Sequence, residues 1–578
     1  MTNLFFYDII KLTLIRAIAP KNKKGKKNMK KFITFALIAA MMLTMIVVGT
    51  SAAAWDGTSV STSLKGEGTE ASPYLVESAA DLAFLAKSVN EGTNYAGKYI
   101  TQTADIDLGG KEWTPIGYCY SFKDSASVEF KADVPFSGVY NGCGYSVTGL
   151  SITKNTLHNV GLFGYISSAA GEAGVANLTV EGAIAIDNPA FAYTNSASEA
   201  AAYKDNGGLG ALVGWVNWSG KKYDNKAYFT NITTDVSITL TNCGMQYRLG
   251  GVAGQPFYAI FENVVNNGNI SYTGTATTRI AGMAGQTNSC TYKGCVNNGD
   301  ITVNITADQT ARACGFTSVV TVGPDADIYT EFLNCVNNGN IEATTGNNNT
   351  LVAGIAGDAY PAGASTRLRI TNCVNTGNMT SHVSTSASGK YAHTGGIGAY
   401  FGNNNHDIYV TGCVNTGEIA YTSFEGAQNR ACGLIGSIYS PGHTDKFVLS
   451  NCITTKSTMV SQTYNIGYNV DKGAYRIEMF KTNIEPTTEG VDVVALATAA
   501  IKTIEDAIVP STYKIAGFDT AYKAPAAPET TTPAAPETTT PSTPSIPSTP
   551  NTGDVTSVIV LALVAVAAGA VLTIKKAR

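Results

Sequence analysis

Charge is scarce in this chain of 578 residues, because Lys, Arg, Asp and Glu together make up only 14% of it. That scarcity excludes a charged coiled coil and a charge-rich disordered chain. Histidine occurs only five times, and the eleven cysteines form no C-x-x-C pair and no Cys/His cluster, so we expect no metal site of the zinc type. The 59 glycines show no G-X-Y period, which excludes collagen. Tyrosine and threonine are abundant instead, and both favour strands over helices.

The first 54 residues predict a secretory leader. Met29-Lys30-Lys31 provides a positive start, Phe32 to Val48 is an apolar stretch, and Ala52-Ala53-Ala54 offers a small-residue cleavage site. We expect cleavage between Ala54 and Trp55, with Met29 as the true start of translation. An unusually long positive leader that begins at Met1 is the alternative.

The C-terminal end has three parts of different composition. Residues 524–550 consist almost wholly of Pro, Ala, Thr, Ser and Glu, which predicts a disordered, extended Pro/Thr linker. Residues 555–574 carry no charge and are long enough for one transmembrane helix. Lys575-Lys576-Ala577-Arg578 then supplies a positive cytoplasmic end.

A short motif lies between the linker and the apolar span: Pro550, Asn551, Thr552 and Gly553. The order of motif, span and basic tail resembles the cell-wall sorting signals of Gram-positive surface proteins. The resemblance implies that a sortase joins Thr552 to peptidoglycan, so that residues 55–523 lie at the cell wall, on the extracellular surface. Thr549 stands where the familiar L-P-x-T-G motif has leucine, so only P-x-T-G is matched, which leaves the sortase class open. A permanent C-terminal membrane anchor is the alternative.

The net charge of the exported part argues against nucleic acid as a partner. Without residues 1–54 and 553–578, 27 Lys and Arg face 41 Asp and Glu, a net charge of −14. A chain this acidic repels a polyanion unless it carries a local basic patch.

The middle of the chain repeats a unit that reads Cys335-Val-Asn-Asn-Gly-Asn-Ile341 in one of its clearest copies. The unit starts at Leu150, Leu178, Ile232, Val264, Cys295, Cys335, Cys373, Cys413 and Cys452. Just before it stands Asn177, Asn231, Asn263, Asn334, Asn372 or Asn451, or else Gly149, Gly294 or Gly412. Asn and Gly tolerate the left-handed conformation, so we predict a corner at each of these positions. The amides at the corners should hydrogen-bond along the stack rather than bind a ligand.

These copies predict one coil each of a solenoid whose strands pair only with neighbouring coils. A G-hydrophobic-x-G segment such as Gly251–Gly254 precedes most corners, and we interpret it as a further strand. Ser78 to Asp81 begins one amphipathic helix and residues 491–508 form another, so we expect one helix on each end of the solenoid. The fold class is all-β: a right-handed parallel β-helix of about nine coils with short helical end caps, a disordered stalk and one C-terminal transmembrane helix.

The domain boundaries follow from these features. We divide the chain into the leader (1–54), an entry or cap module (55–145), the β-helix repeats (146–460), a C-terminal cap (461–523), the linker (524–550) and the sorting signal (551–578). The G-hydrophobic-x-G and N-C-V-N-x-G-x-I segments are similar to the GLUG-type repeats of bacterial surface proteins, over residues 70–460. That resemblance implies a fold and surface display, but no defined activity.

Two sets of residues are candidates for a ligand surface. Basic residues recur three positions before the G-hydrophobic-x-G segment: Arg248, Arg279, Arg312 and Arg430, with His158 and His393. If exposed, they would form a basic stripe suited to a polyanionic glycan; alternatively, the arginine stems cover apolar surface in a turn before the strand. Trp218 and Tyr223 are aromatic residues in a long loop, where sugars and proteins are often bound.

The function expected is that of a surface binding or structural protein, such as an adhesin for an unknown extracellular glycan or protein, with no cofactor. A β-helix polysaccharide lyase or glycoside hydrolase is the alternative, but such enzymes need converging carboxylates, which the repeats lack. Asp105 and Asp107, like Asp325 and Asp327, lack the further ligands of a calcium loop, and the first pair fits a strand-to-loop turn better.

Two structural expectations follow from the repeat itself. The cysteines that begin the units should be buried, reduced thiols. Asn372→Leu at a corner should be more damaging than Asn375→Leu within the unit, because a branched side chain disfavours positive φ.

Overall fold

The structure is a computed structural model that describes residues 53–123, 129–189, 207–217, 223–321, 328–359, 367–383, 390–401, 407–422, 428–438, 447–455 and 493–509. Contacts divide the chain into Met1–Tyr522 and Lys523–Arg578, and the described residues all belong to the first unit. The leader up to residue 52, the linker, the sorting signal with Pro550 to Gly553, Trp218, Asp325 and Asp327 lie outside the described residues. Within the described part of the chain, no helix is long and apolar enough to cross a membrane.

Most of the described residues lie in strands, and most of these strands are short. The chain first forms β1 (Tyr74–Val76), α1 (Ala79–Asn90), β2 (Tyr99–Gln102), β3 (Ile106–Asp107), β4 (Tyr118–Lys123), β5 (Glu129–Val134), β6 (Val139–Asn141) and β7 (Ser146–Ile152). It continues with β8 (Asn159–Val160), β9 (Phe163–Ile166), β10 (Ala173–Asp187), β11 (Gly207–Gly210), β12 (Val213–Val216), β13 (Ala227–Cys243), β14 (Tyr247–Gly250), β15 (Ala253–Pro256), β16 (Ala259–Asn266), β17 (Ile270–Gly274), β18 (Arg279–Ala281), β19 (Ala284–Asn288), β20 (Thr291–Lys293) and β21 (Val296–Asn297).

The later coils repeat the same order of elements. They comprise β22 (Ile301–Ile305), β23 (Ala311–Cys314), β24 (Thr317–Thr321), β25 (Thr330–Leu333), β26 (Val336–Asn337), β27 (Ile341–Thr345), β28 (Thr350–Ala353), β29 (Ala356–Ala359), β30 (Arg367–Thr371), β31 (Val374–Asn375), β32 (Met379–Val383), β33 (Tyr391–Gly395), β34 (Gly398–Phe401), β35 (Asp407–Thr411), β36 (Val414–Asn415), β37 (Ile419–Thr422), β38 (Gln428–Cys432), β39 (Ile435–Ile438), β40 (Phe447–Ser450) and β41 (Ile453–Thr454). The second helix, α2 (Val493–Asp506), follows.

The strands of the described residues stack into three long parallel sheets. One sheet has 23 strands, and two have eight each: β8, β11, β14, β18, β23, β28, β33 and β38 in the second sheet, and β9, β12, β15, β19, β24, β29, β34 and β39 in the third. Each strand pairs in parallel with its equivalent in the next coil, as Ile301 of β22 does with Ile341 of β27. Among the named strands only the β4–β5 hairpin is antiparallel. The chain is therefore a parallel β-helix, which confirms the all-β expectation.

The corners have the left-handed backbone that their residue types allow. Asn177, Asn231, Asn263, Asn334, Asn372 and Asn451 have φ values between 51° and 54°, and Gly149, Gly294 and Gly412 have φ values between 60° and 66°. The Asn231 Nδ2 donates to Asn177 Oδ1 at 2.8 Å, and the Asn263 Nδ2 donates to Asn231 Oδ1 at 2.9 Å. Part of the corner row thus forms the amide stack that the sequence predicts.

The core is built from rows of identical positions on successive coils. Phe229, Phe261, Tyr292 and Phe332 stack ring on ring, with centroids 4.8, 4.9 and 4.9 Å apart, which matches the spacing of parallel strands. The next row contains the residues that begin each repeat unit, and Cys295, Cys335, Cys373, Cys413 and Cys452 in it are buried free thiols. Burial raises the pKa of the Cys295 and Cys373 thiols well above their usual range.

A ladder of buried asparagines runs beside the thiol row. Asn266, Asn297, Asn337, Asn375 and Asn415 are fully buried, and each donates one amide N–H to the carbonyl oxygen of the glycine two residues later. The second N–H of each of the first four asparagines reaches the Oδ1 of the next at 2.7–2.8 Å. Thr234 donates to Asn266 Oδ1, and Thr454 accepts from Asn415, at the two ends.

The ladder leads us to expect the opposite order of damage for substitutions at Asn372 and Asn375. Asn372 is exposed, whereas Asn375 is fully buried and takes part in three hydrogen bonds. Positive φ is a local penalty of limited size, while a buried amide that loses its partners leaves several groups unsatisfied. The sequence shows that both asparagines recur in the repeat, but it does not show which of them faces the interior.

Each G-hydrophobic-x-G segment spans a corner and the start of the next strand, so only its second half is the strand that the sequence predicts. β14 ends at Gly250 and β15 starts at Ala253, so Gly251 lies in the turn between them. These turns reach the asparagine ladder across the interior: a Cβ on Gly354 would lie 2.5 Å from Asn375 Oδ1. Only glycine fits where two parts of the same coil approach this closely.

The two helices of the described residues, α1 and α2, occupy different kinds of position. Helix α1 starts at the N-cap Ser78, whose Oγ accepts from the Asp81 N–H, and it buries Leu82 and Leu85 in the main core. Helix α2 instead lies along the side of the solenoid, where Ala497 and Ile504 pack with a row of outward apolar side chains: Val296, Val336, Val374, Val414 and Ile453. The expectation that α2 covers the end of the solenoid is therefore wrong, since that outward row provides its apolar partner surface.

Candidate functional site

The predicted arginines lie in one row at the junction of the two eight-stranded sheets. In register along the second sheet are Asn159, Gly208, Arg248, Arg279, Arg312, Leu351, His393 and Arg430. In register along the third sheet are Tyr165, Trp215, Gln255, Gln286, Val319, Asp358, Tyr400 and Ser437. We call these two facing rows the arginine seam.

The backbones of the two sheets come very close at the seam. A Cβ on Gly254 would lie 2.7 Å from the Arg248 carbonyl oxygen, and one on Gly285 would lie 2.6 Å from that of Arg279. Leu249, between the arginine row and the corner, is buried in the main core. Alternate residues of one strand point to opposite faces, so the arginines face away from that core and towards the opposite sheet.

The strongest contact across the seam is an ion pair. Arg312 Nε and Nη2 donate to Asp358 Oδ2 at 3.1 and 3.0 Å, and these side chains are 20% and 11% exposed. Two charge-assisted hydrogen bonds to one oxygen hold the guanidinium in place. Asp358 belongs to the next coil, so the pair also ties two coils together.

Two further arginines meet a neutral partner. Arg248 Nε donates to Gln286 Oε1 at 3.4 Å, and Arg279 Nη1 donates to the same oxygen. The Gln286 Nε2 in turn reaches Thr321 Oγ1 at 3.3 Å. An amide oxygen thus satisfies part of two guanidinium groups without neutralising their charge.

The C-terminal end of the seam is aromatic. The Arg430 guanidinium lies 3.8 Å from the centroid of the Tyr391 ring, and its Nη1 donates to Ser437 Oγ at 3.3 Å. The His393 and Tyr400 rings lie 4.7 Å apart. Burial, and then the neighbouring Arg430 and Arg312, lower the pKa of His393 well below its usual value, so the imidazole is neutral at physiological pH.

A separate aromatic cluster closes the N-terminal end of the seam. Trp215, Tyr223, Phe257 and Tyr258 pack together with Tyr165 and with Cys119 of the β4–β5 hairpin. The Arg248 guanidinium lies 5.8 Å from the centroid of the Trp215 ring. Tyr223, which the sequence suggests as an exposed sugar contact, is only 8% exposed and belongs to this cluster instead.

The structure corrects the position of the arginines. They do not lie in turns before a strand, because β14, β18, β23 and β38 include them. Arg248 is only 9% exposed, so the row is a partly buried seam rather than an open stripe, while Arg279, Arg312 and Arg430 keep partial exposure.

Sequence reasoning missed the facing row of the seam. Arg279 and Gln286, His393 and Tyr400, and Arg430 and Ser437 are each seven residues apart across a glycine corner. That constant offset is the signal that could have revealed the pairs. The Arg312–Asp358 pair crosses from one coil to the next, and no single repeat unit contains it.

The seam offers little for hydrolysis. Within its two rows, all of whose members are described, Asp358 is the only carboxylate, and it is paired with Arg312. A glycosidase needs two carboxyl groups that flank the scissile bond. What the seam can do chemically is to present cationic groups at regular intervals.

The other sequence candidates have structural roles where they are described. Asp105 Oδ1 accepts from the Ser146 N–H and Oγ, and Asp107 Oδ1 accepts from the Gly109 N–H, so both stabilise turns. No group of three or more potential metal ligands occurs among the described residues.

The predicted cleavage site lies directly before the first coil. Ala54 is exposed, while the Trp55 backbone N–H donates to the Asp107 carbonyl oxygen at 2.9 Å. The Trp55 ring meets Trp113 edge to face, with centroids 5.9 Å apart.

Comparison with known proteins gives short matches. No family model matches the chain. A "Putative Gly-rich membrane protein" of Evansella cellulosilytica is 37% identical over 130 residues, which is 21% of this chain and 13% of that protein. Halomucin of Haloquadratum walsbyi is 30% identical over 128 residues, 22% of this chain and 1% of that protein. The chain thus matches only a small part of either relative.

One solved structure is similar at a distance. It is the crystal structure of a "putative immunoglobulin A1 protease" from Bacteroides ovatus, with 15% identity and a TM-score of 0.38 over 62% of this chain and 86% of that one. A similarity at this level carries no argument about function.

Proposed function

We propose that the chain is a secreted surface protein of a Gram-positive bacterium that a sortase joins to peptidoglycan. The observation that carries this is the order of segments: leader, solenoid, linker, P-x-T-G motif, uncharged span and basic tail. Trp55, the first residue after the proposed cleavage site, contacts Asp107 and Trp113 of the first coil, and cleavage before Trp55 would keep these contacts. The name of one relative, a Gly-rich membrane protein, agrees with a location at the cell envelope.

The displayed part acts as a binding module, such as an adhesin for an extracellular glycan or protein. We take it to be a right-handed β-helix of about nine coils, and the composition of residues 524–550 predicts an extended spacer after it. Rows of identical side chains at strand spacing suit an extended ligand better than a small molecule. The single paired carboxylate of the arginine seam supports binding over hydrolysis.

Cell fractionation tests display. The chain is expressed in a Gram-positive host, and Thr552→Ala is compared with the matched linker variant Thr540→Ala. We expect the wild type and Thr540→Ala in the muramidase-released wall fraction, and Thr552→Ala in the membrane or the medium. Equal wall fractions for all three would reject sortase attachment.

Binding is tested with the same cells on an array of glycans and matrix proteins. Cells that display the chain should bind a subset of spots that otherwise identical cells without the chain do not bind. If no spot distinguishes the two, the chain acts as a spacer, and the adhesin proposal fails.

A further inference from the structure

We infer that the outer face of the 23-stranded sheet binds a short neutral oligosaccharide through two tyrosines and the charged side chains around them. We call this site the tyrosine–arginine patch, and its residues are Tyr329, Glu331, Arg367, Arg369, Asp407 and Tyr409. The inference deepens the proposed binding role and rests on it. It is supported by the contacts within the patch, by the balance of its charges and by its confinement to a few coils.

The patch faces outwards because the residues of its strands alternate between core and surface. Leu368 and Ile370 of β30 are fully buried in the main core. Arg367 and Arg369 alternate with them and therefore point away from that core. The Arg369 side chain is 46% exposed even though it is ion-paired, so a ligand in solution can reach it.

The register of the sheet brings the patch together from three coils. Glu331 of β25, Arg369 of β30 and Tyr409 of β35 pair in one row, and Arg367 pairs with Asp407 in the next. At the strand spacing of a sheet, these three coils cover about 10 Å. A protein partner would need contacts far beyond this length, since a stable interface buries about 800 Å² on each side. A short oligosaccharide would not.

The side chains of the patch hold one another in place. The Arg369 guanidinium lies 3.7 Å from the centroid of the Tyr329 ring and 5.8 Å from that of Tyr409. Its Nη1 donates to Glu331 Oε1 at 2.8 Å, and the Tyr329 hydroxyl donates to Asp407 Oδ2 at 3.2 Å. Side chains that are already ordered lose little conformational freedom when a ligand binds, which favours affinity.

The charges of the patch favour a neutral ligand. Arg367 and Arg369 balance Glu331 and Asp407, so the patch residues have no net charge with which to attract a polyanion or a polycation. Guanidinium groups only donate hydrogen bonds, and carboxylates only accept them. A sugar hydroxyl can do both, and the apolar C–H face of a sugar ring can pack on the partly exposed tyrosine rings.

The patch is separate from the repeating framework of the solenoid. Structural rows such as the buried asparagines recur on successive coils. The row that contains Arg369 instead has Tyr228, Ile260 and Thr291 on three earlier coils, so the combination of tyrosine and arginine does not recur there. The stacking of coils does not require this combination, which leaves it available for a ligand.

Binding of the purified full chain, in mild detergent, to immobilised oligosaccharides tests the inference. The neutral probes are gluco-, manno-, galacto- and xylo-oligosaccharides, and oligogalacturonates are the acidic probes. We expect binding to at least one neutral probe, with a Kd that changes by less than about twofold as salt is raised, because screening has no net charge to act on. Binding to the acidic probes alone, or to no neutral probe, would overturn the inference.

Variants locate the site. Tyr329→Ala and Tyr409→Ala should each raise the Kd about fivefold or more, because each removes a ring on which a sugar can pack. Tyr329→Phe keeps the ring and should leave the Kd within about twofold. The matched control Tyr228→Ala removes a tyrosine from the same row on an earlier coil and should also stay within about twofold. Equal effects of Tyr329→Ala and Tyr228→Ala would reject the patch as the site.

A conservative variant separates loss of binding from loss of folding. Arg369→Lys keeps the charge beside Glu331 but loses the planar group that stacks on Tyr329, so it should raise the Kd about threefold or more without a large change in melting temperature. Full affinity in Arg369→Lys together with full affinity in folded Tyr329→Ala would overturn the inference.

The outcomes also separate this inference from the proposed function. These assays use purified protein, so wall display can fail while the patch still binds a glycan. If displaying cells bind matrix proteins and the purified chain binds no neutral glycan, the adhesin role holds and the inference about the patch fails.

Discussion

Asn375→Leu should open the solenoid far more than Asn372→Leu, although both asparagines occupy periodic positions of the same coil. The Asn375 Nδ2 donates to the Gly377 carbonyl oxygen at 2.8 Å and to Asn415 Oδ1 at 2.7 Å, and its Oδ1 accepts from Asn337 Nδ2 at 2.7 Å. Leucine removes all three hydrogen bonds. It leaves two buried acceptors and one buried N–H without a partner.

The size of the effect follows from these groups. Each buried group left unsatisfied costs about 1–3 kcal/mol, so three of them cost about 3–6 kcal/mol after some relaxation. The glycine corner adds to this, because Gly354 packs directly on the Asn375 amide and leaves no room for a branched side chain. At Asn372, which is exposed with φ of 51°, leucine meets only the left-handed penalty of about 1–2 kcal/mol.

Hydrogen exchange measured by mass spectrometry suits a solenoid, because coils can open separately. A difference of about 2 kcal/mol or more makes amide exchange in β30 to β37 about thirtyfold faster in Asn375→Leu than in Asn372→Leu. Equal protection in the two variants, or faster exchange in Asn372→Leu, would refute the buried ladder as a principal source of local stability.

Three other perturbations test separate parts of the fold. Gly354→Ala should lower the melting temperature strongly, because the new Cβ would meet Asn375 Oδ1. The control Gly244→Ala, whose Cβ would have its nearest neighbour 3.8 Å away, should change the melting temperature little. Similar melting temperatures for the two variants would contradict the close approach of Gly354 to Asn375. Cys373→Val should change the free energy of unfolding by under about 1.5 kcal/mol, because valine has a similar volume and is also apolar. Native Cys373 should resist iodoacetamide even near pH 9, because burial raises the pKa of its thiol, and rapid labelling would show that the thiol row faces solvent. Burial lowers the pKa of His393, so the unfolded state binds the proton more readily than the folded state, and the free energy of unfolding should fall as pH drops below about 6.5. When the urea midpoint is measured against pH, His393→Gln should flatten this part of the curve. An unchanged slope in the variant would count against a buried neutral imidazole.

The rows of the solenoid could be predicted because one residue type repeats at one position. Asn372 and Gly412 occupy the same slot and share positive φ, a backbone property that a residue type reveals directly. The burial of the thiols can be predicted in the same way, because Val264 and Cys335 occupy equivalent positions in different coils and only an apolar site accommodates both side chains.

The sequence did not allow us to predict contacts between different parts of a coil or between side chains of neighbouring coils. The distance from Gly354 to Asn375 depends on how sharply the chain turns inwards, and the sequence alone predicts a strand there. The lateral position of α2 depends on an outward row of apolar residues that includes Val374 and Val414, and a repeat pattern does not distinguish an outward apolar row from an inward one. The Arg312–Asp358 pair joins two coils, so its partners never appear together in one repeat unit.

The most direct test of wall display is mass spectrometry of the protein released from cell walls by a muramidase. We predict a C-terminal peptide that ends at Thr552 and carries a peptidoglycan fragment, with the leader removed before Trp55. Intact Lys575–Arg578 on most of the protein would contradict it and would mean that the chain is held by its membrane span instead.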